Sequence, residues 1–469
     1  MSAIITRPFK KQLAQTVFNE VVNTTNRYYI GIGRSEQWDS AETVPTPIIN
    51  DGTIRSVRNS LQSIKSATDI SYVVPRYNWS SGSLYQGYDD TFTGIPDVNP
   101  YAVLTEDNQV YICLQQAKNS NGVGTTSTIK PNGVTPKPFK TSDGYVWKFL
   151  YTLTAARASA FLSANFLPCE KILDSSDHNN LVDPSAALPP LTIQQALVQD
   201  SAVPGQIIGI ALTSGGSGFT STPNVVITGD GVRAAATATV INQVITKIEL
   251  DSSTDSAMAM GQGYNFASIS FTNAGGGTGA SARAIIGPNN GLGADSRDDL
   301  LSSSLMFNTK PNGIEDSNFI VGQNFRQVAL IKDPNHTSDS AADGPTFTTS
   351  SGKVLRSLKL NATANVNLLN TTIVGQTTGA KAFVDEVDED RIYFHQTIAS
   401  GFGTFQEAEV IIGGGISVTL DSAGADADAE AFERDDVDKL SGEILYIENR
   451  APVTRSVNQQ EDLKVVITL

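Results

Sequence analysis

The chain has 469 residues, of which 40% are hydrophobic, 17% are charged and 39 are glycine, and this globular, turn-rich composition predicts about three domains and excludes wholesale disorder. The net charge of −15 argues against a broad binding surface for nucleic acid or anionic membranes. Two cysteines are too few for a disulfide framework and no run of about 18 apolar residues occurs, so we expect a soluble protein without a signal peptide that folds in a reducing cytosol.

The N-terminal part of the chain predicts a helix, a strand and a second helix. Apolar residues at every fourth position predict a packing helix over 12–26. The aromatic and β-branched run Tyr28–Gly33 predicts a buried strand, and residues 54–66 predict the second helix.

A hairpin, a long loop and a further strand follow. The runs 102–104 and 110–114 flank an Asp-Asn turn, which predicts two paired strands. Residues 117–140 are rich in Asn, Gly, Thr, Ser and Pro without periodicity, so they predict an exposed loop. Loops of this length usually have a function. Residues 145–154 predict another strand.

The middle of the chain contains an internal repeat. The Gly-aromatic segment 215–219 recurs as 261–264, and the Gly turn 229–231 recurs as 275–277. Each unit predicts three strands separated by a Gly-aromatic turn and a Gly turn. Because one such sheet cannot bury its own face, the two units should pack together or against the main body. We predict one small β domain over 205–288.

A third block, 354–438, predicts an acidic β domain. Between residues 383 and 438 there are fifteen acidic residues against Arg391 and Arg434, a balance of −13 out of the chain's −15. Such charge favours an outward-facing module in which self-association is disfavoured, or simply a solvated face. The strands predicted in this block are 372–374, 381–384, 391–395 and 409–412.

The common sequence motifs of enzymes and cofactor sites are either absent from the sequence or mismatched at a required position. The segment from Gly31 begins like a dinucleotide fingerprint, but Glu36 stands where glycine or alanine is required. The glycines of 275–280 match the same pattern but are explained as turns of the repeat. The sequence also lacks a P-loop, a zinc-ligand spacing around its three histidines and a nucleophile elbow. We therefore predict no enzyme, no cofactor and no metal site.

Two chemical alternatives stay open at this stage. Asp426, Asp428 and Glu430 place oxygen ligands at alternating positions, as Ca²⁺ prefers, but Ala431 stands where a glycine would follow. Either calcium binding or plain solvation explains them. A pair of carboxylates for polysaccharide hydrolysis depends on fold geometry, which the sequence does not contain.

The three tryptophans lie in polar-aromatic clusters at 34–38, 75–79 and 143–147. Trp, Tyr and Arg combine apolar area with a polar group, which suits protein interfaces. Core packing, a protein interface and stacking on sugars or nucleic acid are the three interpretations of these clusters.

The same clusters carry a family resemblance. In order along the chain, six segments resemble parts of the baseplate wedge subunit eight of T-even-type contractile phages, and ordered matches are more specific than a single motif. The matching parts cover roughly 1–200, 295–340 and 440–469, a little over half of the chain. The six segments are 29–38, 74–79, 143–147, 325–331, 441–452 and 459–467.

The resemblance implies a β-rich structural virion protein. Such a protein forms a homodimer in each of six wedges, contacts neighbouring wedge proteins and takes part in baseplate rearrangement before sheath contraction, without catalysis. It would be synthesised in the host bacterial cytoplasm and reside in the tail baseplate. The repeat and the acidic block have no counterpart in that family, and they resemble small β modules in virion proteins of other large myophages.

We therefore predict a mainly β, α+β, multi-domain fold, with a discontinuous β-sandwich-like body and two inserted β domains. The partners expected are a second copy and other wedge proteins, with no nucleic acid or membrane. An alternative is a tail-associated adhesin whose β modules bind host glycans. The predicted body comprises 1–204, 289–353 and 439–469. The candidate interface or core residues are Arg34, Glu36, Trp38, Arg76, Trp79, Tyr145, Trp147, Arg326, Glu448, Asn449 and Arg450.

Overall fold

Antiparallel sheets make up most of the described structure. Strands account for 41% of it and helices for 12%. These proportions confirm the predicted mainly β, multi-domain α+β fold. The computed structural model describes residues 4–170, 173, 190–250, 259–272, 275–337, 346–422, 432–433 and 436–469.

The helices of the described residues are short, and several begin at a side-chain cap. Asn50 accepts a hydrogen bond from the backbone N–H of Thr53 at 2.8 Å, and Thr154 caps the third helix in the same way. Such caps satisfy N–H groups that the first turn leaves free. The helices are α1 (Arg7–Val22), α2 (Asp51–Ser60), α3 (Ala155–Phe161), α4 (Pro190–Asp200) and α5 (Ser296–Asp299).

The first helix lies earlier in the chain than the apolar pattern predicted. It begins at Arg7 because Pro8 fits the first turn, where its missing N–H would have had no partner anyway. It ends at Val22 because Thr24 takes the left-handed conformation, with φ of +52°. The predicted span of 12–26 was therefore wrong at both ends.

The second predicted helix, 54–66, is half wrong. Helix α2 ends at Ser60, and the chain continues as a strand from Leu61 to Ser66. This strand pairs with Tyr28–Gly33 on one side and with residues 351–353 on the other. Backbone pairing in a buried sheet outweighs the weak helical preference of these residues.

The strands fall into three stretches of the chain. The first eight are β1 (Tyr28–Gly33), β2 (Leu61–Ser66), β3 (Asp69–Pro75), β4 (Ala102–Leu104), β5 (Gln109–Gln115), β6 (Phe139–Lys140), β7 (Val146–Thr152) and β8 (Phe166–Pro168). Those of the repeat are β9 (Ile207–Ser217), β10 (Asn224–Gly229), β11 (Val232–Ala234), β12 (Ala236–Ile241), β13 (Val244–Leu250), β14 (Met260–Gln262), β15 (Ala267–Thr272) and β16 (Thr278–Ile286). The remaining ones are β17 (Ser304–Thr309), β18 (Asn324–Lys332), β19 (Asn335–His336), β20 (Ser351–Lys353), β21 (Arg356–Lys359), β22 (Thr372–Gly375), β23 (Lys381–Asp388), β24 (Arg391–His395), β25 (Val410–Gly413), β26 (Ile416–Thr419), β27 (Phe432–Glu433), β28 (Val437–Asp438), β29 (Glu443–Thr454) and β30 (Leu463–Thr468).

The chain forms two compact units, each built from segments that are distant in sequence. Residues 205–288 lie in unit 1 and residues 354–438 in unit 2, while the predicted body contributes to both units. The limits of the three predicted domains stay predictions. Unit 1 comprises Met1–Ala14, Ser71–Leu305 and Thr468–Leu469, and unit 2 comprises Gln15–Ile70 and Met306–Ile467.

In unit 1, the six main strands of the repeat form one sheet in the order β13-β12-β10-β15-β16-β9. Exchanging the first repeat unit (β9, β10, β12) with the second (β13, β15, β16) reverses this order, so the sheet has an internal two-fold pseudosymmetry. The first strand of each repeat unit lies at an edge of the sheet and pairs with the last strand of the other repeat unit: β9 pairs with β16, and β13 pairs with β12. The two repeat units were expected to pack together or against the main body. They do pack together, as interleaved strands of a single sheet.

Glycines and aromatic rings close this domain in an equivalent way at both ends. The ring of Phe219 lies against Gly277, and the ring of Tyr264 lies against Gly231. In each case the aromatic residue belongs to one repeat unit and the glycine to the other. The repeat thus explains both the Gly-aromatic turn and the Gly turn, because each aromatic ring needs a position without a side chain.

Substituting Gly231 by alanine should destabilise unit 1 by about 1–3 kcal/mol, as overpacking of a filled site does. The added Cβ would overlap with Cγ and Cδ2 of Tyr264. Denaturant unfolding measures the loss. Gly94→Ala is the control because nothing lies within 4 Å of that Cβ, and equal stability of the two variants would contradict the prediction.

In unit 2, the acidic block forms a seven-stranded sheet in the order β26-β25-β22-β23-β24-β21-β27. Its four predicted strands correspond to β22, β23, β24 and β25. An apolar core of its own lies beneath the sheet, with Leu358, Ile373, Val384 and Ile392 fully buried. The acidic block therefore has a packed hydrophobic core, formed by alternate side chains of its strands that point to the buried face of the sheet.

The outward-facing interpretation of the acidic block is wrong for two of its carboxylates. Asp385 is fully buried, and Glu409 is nearly so. Glu409 accepts hydrogen bonds from the backbone N–H groups of Gln406, Thr377 and Thr378. A buried carboxylate is tolerated when such donors replace water. Asp426, Asp428 and Glu430, for which calcium binding and solvation were the alternatives, lie outside the described residues.

Candidate functional site

The eleven candidate residues separate into two groups, one in each unit. We call the first the Arg326 cluster and the second the Trp147 cluster. The Arg326 cluster contains Arg34, Glu36, Trp38, Arg326, Glu448, Asn449 and Arg450, all in unit 2, and the Trp147 cluster contains Arg76, Trp79, Tyr145 and Trp147, all in unit 1.

The Arg326 cluster is built on a five-stranded antiparallel sheet in the order β20-β2-β1-β18-β29. Gly31 of β1 pairs with Ala329 of β18, which pairs on its other side with Ile447 of β29. Strand β1 is buried along its whole length and β18 almost so. Three of the segments that carry the family resemblance are thus adjacent strands.

Arg326 fixes the chain that leaves β1. Its Nε and Nη2 donate to the two carboxylate oxygens of Glu42 at 2.9 and 2.7 Å, and its Nη1 donates to the carbonyl oxygen of Ser35. The hydrogen bonds from Arg326 lower the pKa of Glu42. Arg326 is almost fully buried, whereas a quarter of the Glu42 side chain is exposed, so this two-pronged, charge-assisted pair lies at the edge of the buried region.

The other members of the cluster connect this segment to β29. The guanidinium of Arg34 lies 4.2 Å from the ring centre of Trp38, and Trp38 Nε1 donates to the carbonyl oxygen of Arg450 at 2.9 Å. Asn449 donates to the carbonyl oxygen of Pro45 at 2.8 Å. Glu448 accepts from the hydroxyl of Tyr446 within β29 itself. The bonds of Trp38 and Asn449 hold the segment 34–45 against the sheet.

A buried histidine joins the same segment to the acidic block. His395 Nδ1 lies 2.6 Å from Asp385 Oδ2, and its Nε2 lies 3.4 Å from Glu36 Oε2. Burial alone would lower the pKa of His395, but the charge and hydrogen bond of Asp385, with Glu36, raise it to about 9. The hydrogen bond from His395 lowers the pKa of Glu36. The imidazolium therefore bridges two carboxylates.

The geometry around His395 differs from that of a nucleophilic triad. Ser35 Oγ donates to Asp385 Oδ1, so this hydroxyl bonds the carboxylate that orients the imidazole. In a triad the hydroxyl must instead bond the histidine that takes its proton. The arrangement is suited to holding the 34–42 segment on the acidic block. The described residues contain no group of three or more side chains placed to bind a metal ion.

The Trp147 cluster is the aromatic core of a four-stranded sheet, β4-β5-β7-β6. Trp147 is fully buried and stacks on Tyr145, with ring centres 5.6 Å apart and planes at 19°. Tyr85 meets the edge of Trp147 at 5.5 Å. Offset and edge-on aromatic pairs stabilise beyond their buried area.

Polar groups of the Trp147 cluster fasten the long loop 117–140. Tyr145 donates its hydroxyl to the carbonyl oxygen of Thr125 at 2.7 Å, and Trp79 Nε1 donates to Ser127 Oγ at 3.2 Å. Arg76, at the edge of this region, donates to the carbonyl oxygen of Ser163. Although much of the loop is exposed, as predicted, the cluster gives it a fixed course.

One further pair in unit 1 has perturbed ionisation. Complete burial raises the pKa of Asp299 well above its ordinary value, and burial lowers the pKa of Lys148 to about 8. Perturbed groups of this kind often mark active sites. The cavity beside Asp299 has a volume of only about 10 Å³, room for a single water molecule, so this pair has no space for a substrate.

Sequence reasoning missed Glu42, Asp385 and His395. Glu42 meets Arg326 across 284 residues of chain, and His395 meets Glu36 across 359. Asp385 and His395 are only ten residues apart, but their contact depends on the pairing of β23 with β24. His395 was considered only as a metal ligand, and Asp385 only as part of a charge count.

Comparison with known proteins does not assign the chain to a family. A scan against models of known protein families and a search of curated proteins both find no match. Among the described residues, none of the helices is both long enough and apolar enough to cross a membrane. The fold and the two clusters therefore define a mainly β, multi-domain protein.

Proposed function

We propose that the chain is a structural protein of a contractile phage tail, a dimeric scaffold of the baseplate wedge that links neighbouring wedge proteins. The observation that carries this proposal is the sheet of unit 2. The segments 29–33, 325–331 and 443–452, found far apart in the sequence by their resemblance to the wedge family, are its adjacent strands β1, β18 and β29. Chance matches have no reason to fall side by side.

Side chains of the matching segments, at their full bounds 29–38, 325–331 and 441–452, also bond the backbone of one another or of the chain just beyond, which supports the set as one structural feature. Arg326 holds Glu42 and the carbonyl oxygen of Ser35, while Trp38 bonds the backbone of Arg450. Their polar atoms are used to fix the backbone. We infer that the Arg326 cluster holds the backbone rigid, so that the surface around it can bind other proteins.

Exposed apolar side chains support an interface role. Phe9 and Leu13 lie one turn apart on α1 and are about half exposed, and Ile48 and Ile49 in a loop of unit 2 are exposed still further. Neighbouring exposed apolar side chains, unlike single ones, are typical of contacts with other proteins. In the proposed role, these surfaces would meet other wedge proteins.

The location of the chain in the particle tests the proposal. Gold-tagged antibody against residues 354–438, applied to intact and contracted particles, should label six positions around the baseplate periphery in electron micrographs. Labelling confined to fibre tips would overturn the wedge role in favour of the adhesin. Absence of the chain from the mass spectrum of purified virions would overturn both.

Trp38→Ala provides a second test in assembly. Removing the indole deletes the hydrogen bond to Arg450 and the contact with Arg34, so we expect a folded chain with about 1–2 kcal/mol lower stability and impaired joining to wedge partners. Trp38→Phe is the matched variant: it keeps an aromatic ring for Arg34 but lacks the Nε1–H that bonds Arg450, so it separates the two losses. Unchanged folding and unchanged wedge assembly in Trp38→Ala would contradict the assignment.

A further inference from the structure

Strand β1 ends in a tight turn against the C-terminal end of helix α2. Arg34 has a φ of +60°, a left-handed conformation that is costly for every residue except glycine, and its backbone N–H donates to the carbonyl oxygen of Ser60 at 2.8 Å. A Cβ at Gly33 would lie 2.5 Å from that same oxygen. An arginine is thus kept in a strained position where the strand and the helix meet, which points to a role for its side chain.

Arg34 lines a pocket of about 370 Å³ in unit 2, a volume typical of sites for small ligands. Ser56 and Asn59 of α2 form another wall, and Thr397 and Ile398, which follow β24, form a third. The amide of Asn59 and the hydroxyls of Ser56 and Thr397 bond no other side chain or backbone group in the described part of the chain. We call this site the Arg34 pocket.

The guanidinium of Arg34 lacks an anionic partner. The neighbouring cations Arg326 and His395 both hold carboxylates, whereas no carboxylate of the described residues lies within 4 Å of Arg34. Its Nη2 donates to the carbonyl oxygen of Gln37 at 3.3 Å, and its buried Nε has no partner. Burial lowers the pKa of Arg34, because a guanidinium that loses water is a less stable cation. A bound carboxylate would offset this cost.

Trp38 fixes the position of the guanidinium and leaves its edge available. The central carbon of the guanidinium lies 4.2 Å from the ring centre of Trp38, so the cation uses its face on the indole. Its N–H groups lie in its plane and form a fork that fits the two oxygens of a carboxylate. Glu36 lines the same pocket, but the imidazolium of His395 engages its carboxylate at 3.4 Å. The unpaired charge of the pocket is therefore that of Arg34.

We propose that the Arg34 pocket binds the carboxylate of a glutamate or aspartate side chain in an acidic segment of another protein. Ile398 lines the same pocket and is 75% exposed. An apolar residue beside the acidic one would cover it, and the burial would stabilise the complex, whereas a free small acid would leave Ile398 in water. The proposal deepens the scaffold role by naming the chemistry of a partner, and it rests on that role.

The indole N–H signals in NMR spectra of the full chain test this site. The sequence has three tryptophans, and the variant Trp38→Phe identifies the signal of Trp38. Titration with the peptide acetyl-Gly-Glu-Leu-Gly-amide to about 5 mM should shift this signal to saturation, because the indole contacts the guanidinium. The signals of Trp79 and Trp147, which belong to unit 1, should stay in place. The same peptide with Gln for Glu should bind at least about tenfold more weakly.

Two substitutions of Arg34 test the cation itself. Arg34→Gln should raise the Kd of the Glu peptide at least about tenfold. Arg34→Gly should do the same while relieving the backbone, since glycine adopts a positive φ readily. The matched control is Arg55→Gln, which removes an exposed positive charge of α2 outside the pocket and should leave the Kd unchanged. Unaltered signals of Trp79 and Trp147 report that each variant is folded.

An unmoved Trp38 signal, equal binding of the Glu and Gln peptides, or equal Kd values for Arg34→Gln and the wild type would overturn the carboxylate site. Glutarate that binds as tightly as the Glu peptide would overturn the protein segment as its occupant. These results would leave the scaffold role standing, since the antibody labelling of particles tests it separately. A chain that binds the Glu peptide but is absent from the baseplate would instead overturn the scaffold role.

Discussion

Replacing Arg455 by alanine should lower the free energy of unfolding of unit 2 by about 3–5 kcal/mol, the range found when one partner of a buried ion pair is removed. Arg455 is 1% exposed. Its Nε donates to Glu461 Oε2 at 2.8 Å, and its Nη2 donates to the carbonyl oxygen of Gly313 at 2.7 Å. The variant would leave the Glu461 carboxylate buried without its cation.

The same guanidinium also lies 4.9 Å from the ring centre of Phe319 and bonds the carbonyl oxygen of Ile320. One side chain therefore fixes the chain near residues 313–320 to the segment that precedes β30. Losing it removes several bonds at once, and the effects of such a network are not a simple sum.

Denaturant unfolding followed by tryptophan fluorescence measures the Arg455→Ala effect. Arg55→Ala is the control, because Arg55 is exposed on α2 of the same unit and surface substitutions usually change stability by less than about 0.5 kcal/mol. If Arg455→Ala unfolded at the same denaturant concentration as Arg55→Ala, the buried pair would have no stabilising role.

Local patterns predicted the strands best where they were repeated or clearly alternating. The repeat predicted the six main strands between 207 and 286, because a Gly-aromatic turn must recur wherever the ring packs on a glycine, but it did not predict the short strands β11 and β14. The buried run Tyr28–Gly33 was identified at its observed bounds. By contrast, the strand Leu61–Ser66 was taken for helix, because its conformation is set by pairing with β1 and β20 rather than by its own residues.

The candidate site was predictable in its residues but not in its contacts. Ordered sequence matches singled out Arg34, Trp38 and Arg326 without indicating that they share one cluster. The acidic block was interpreted from its net charge, which treats every carboxylate alike. Asp385 departs from that average because Ser35, Gln62 and His395 all bond it, and such partners become visible only in the fold.

The stability of unit 2 should fall by about 3 kcal/mol as the pH rises from about 6.5 to about 9. The fold raises the pKa of His395 from 6.5 to about 9, so the folded chain holds this proton more tightly than the unfolded chain does. The stabilisation is complete below the unfolded pKa and is lost as the pH passes the folded pKa. Above that point, Asp385 and Glu36 face each other without the imidazolium between them.

His395→Gln tests this linkage in the same pH range. The amide can still bond Asp385 but carries no charge, so the variant should be about 3 kcal/mol less stable than the wild type near pH 6.5 and should approach it above pH ~9. His336→Gln, on β19 of the same unit, is the matched control and should retain the wild-type slope. Parallel pH profiles for His395→Gln and the wild type would show that another group holds the proton, and the imidazolium bridge between the 34–42 segment and the acidic block would then be wrong.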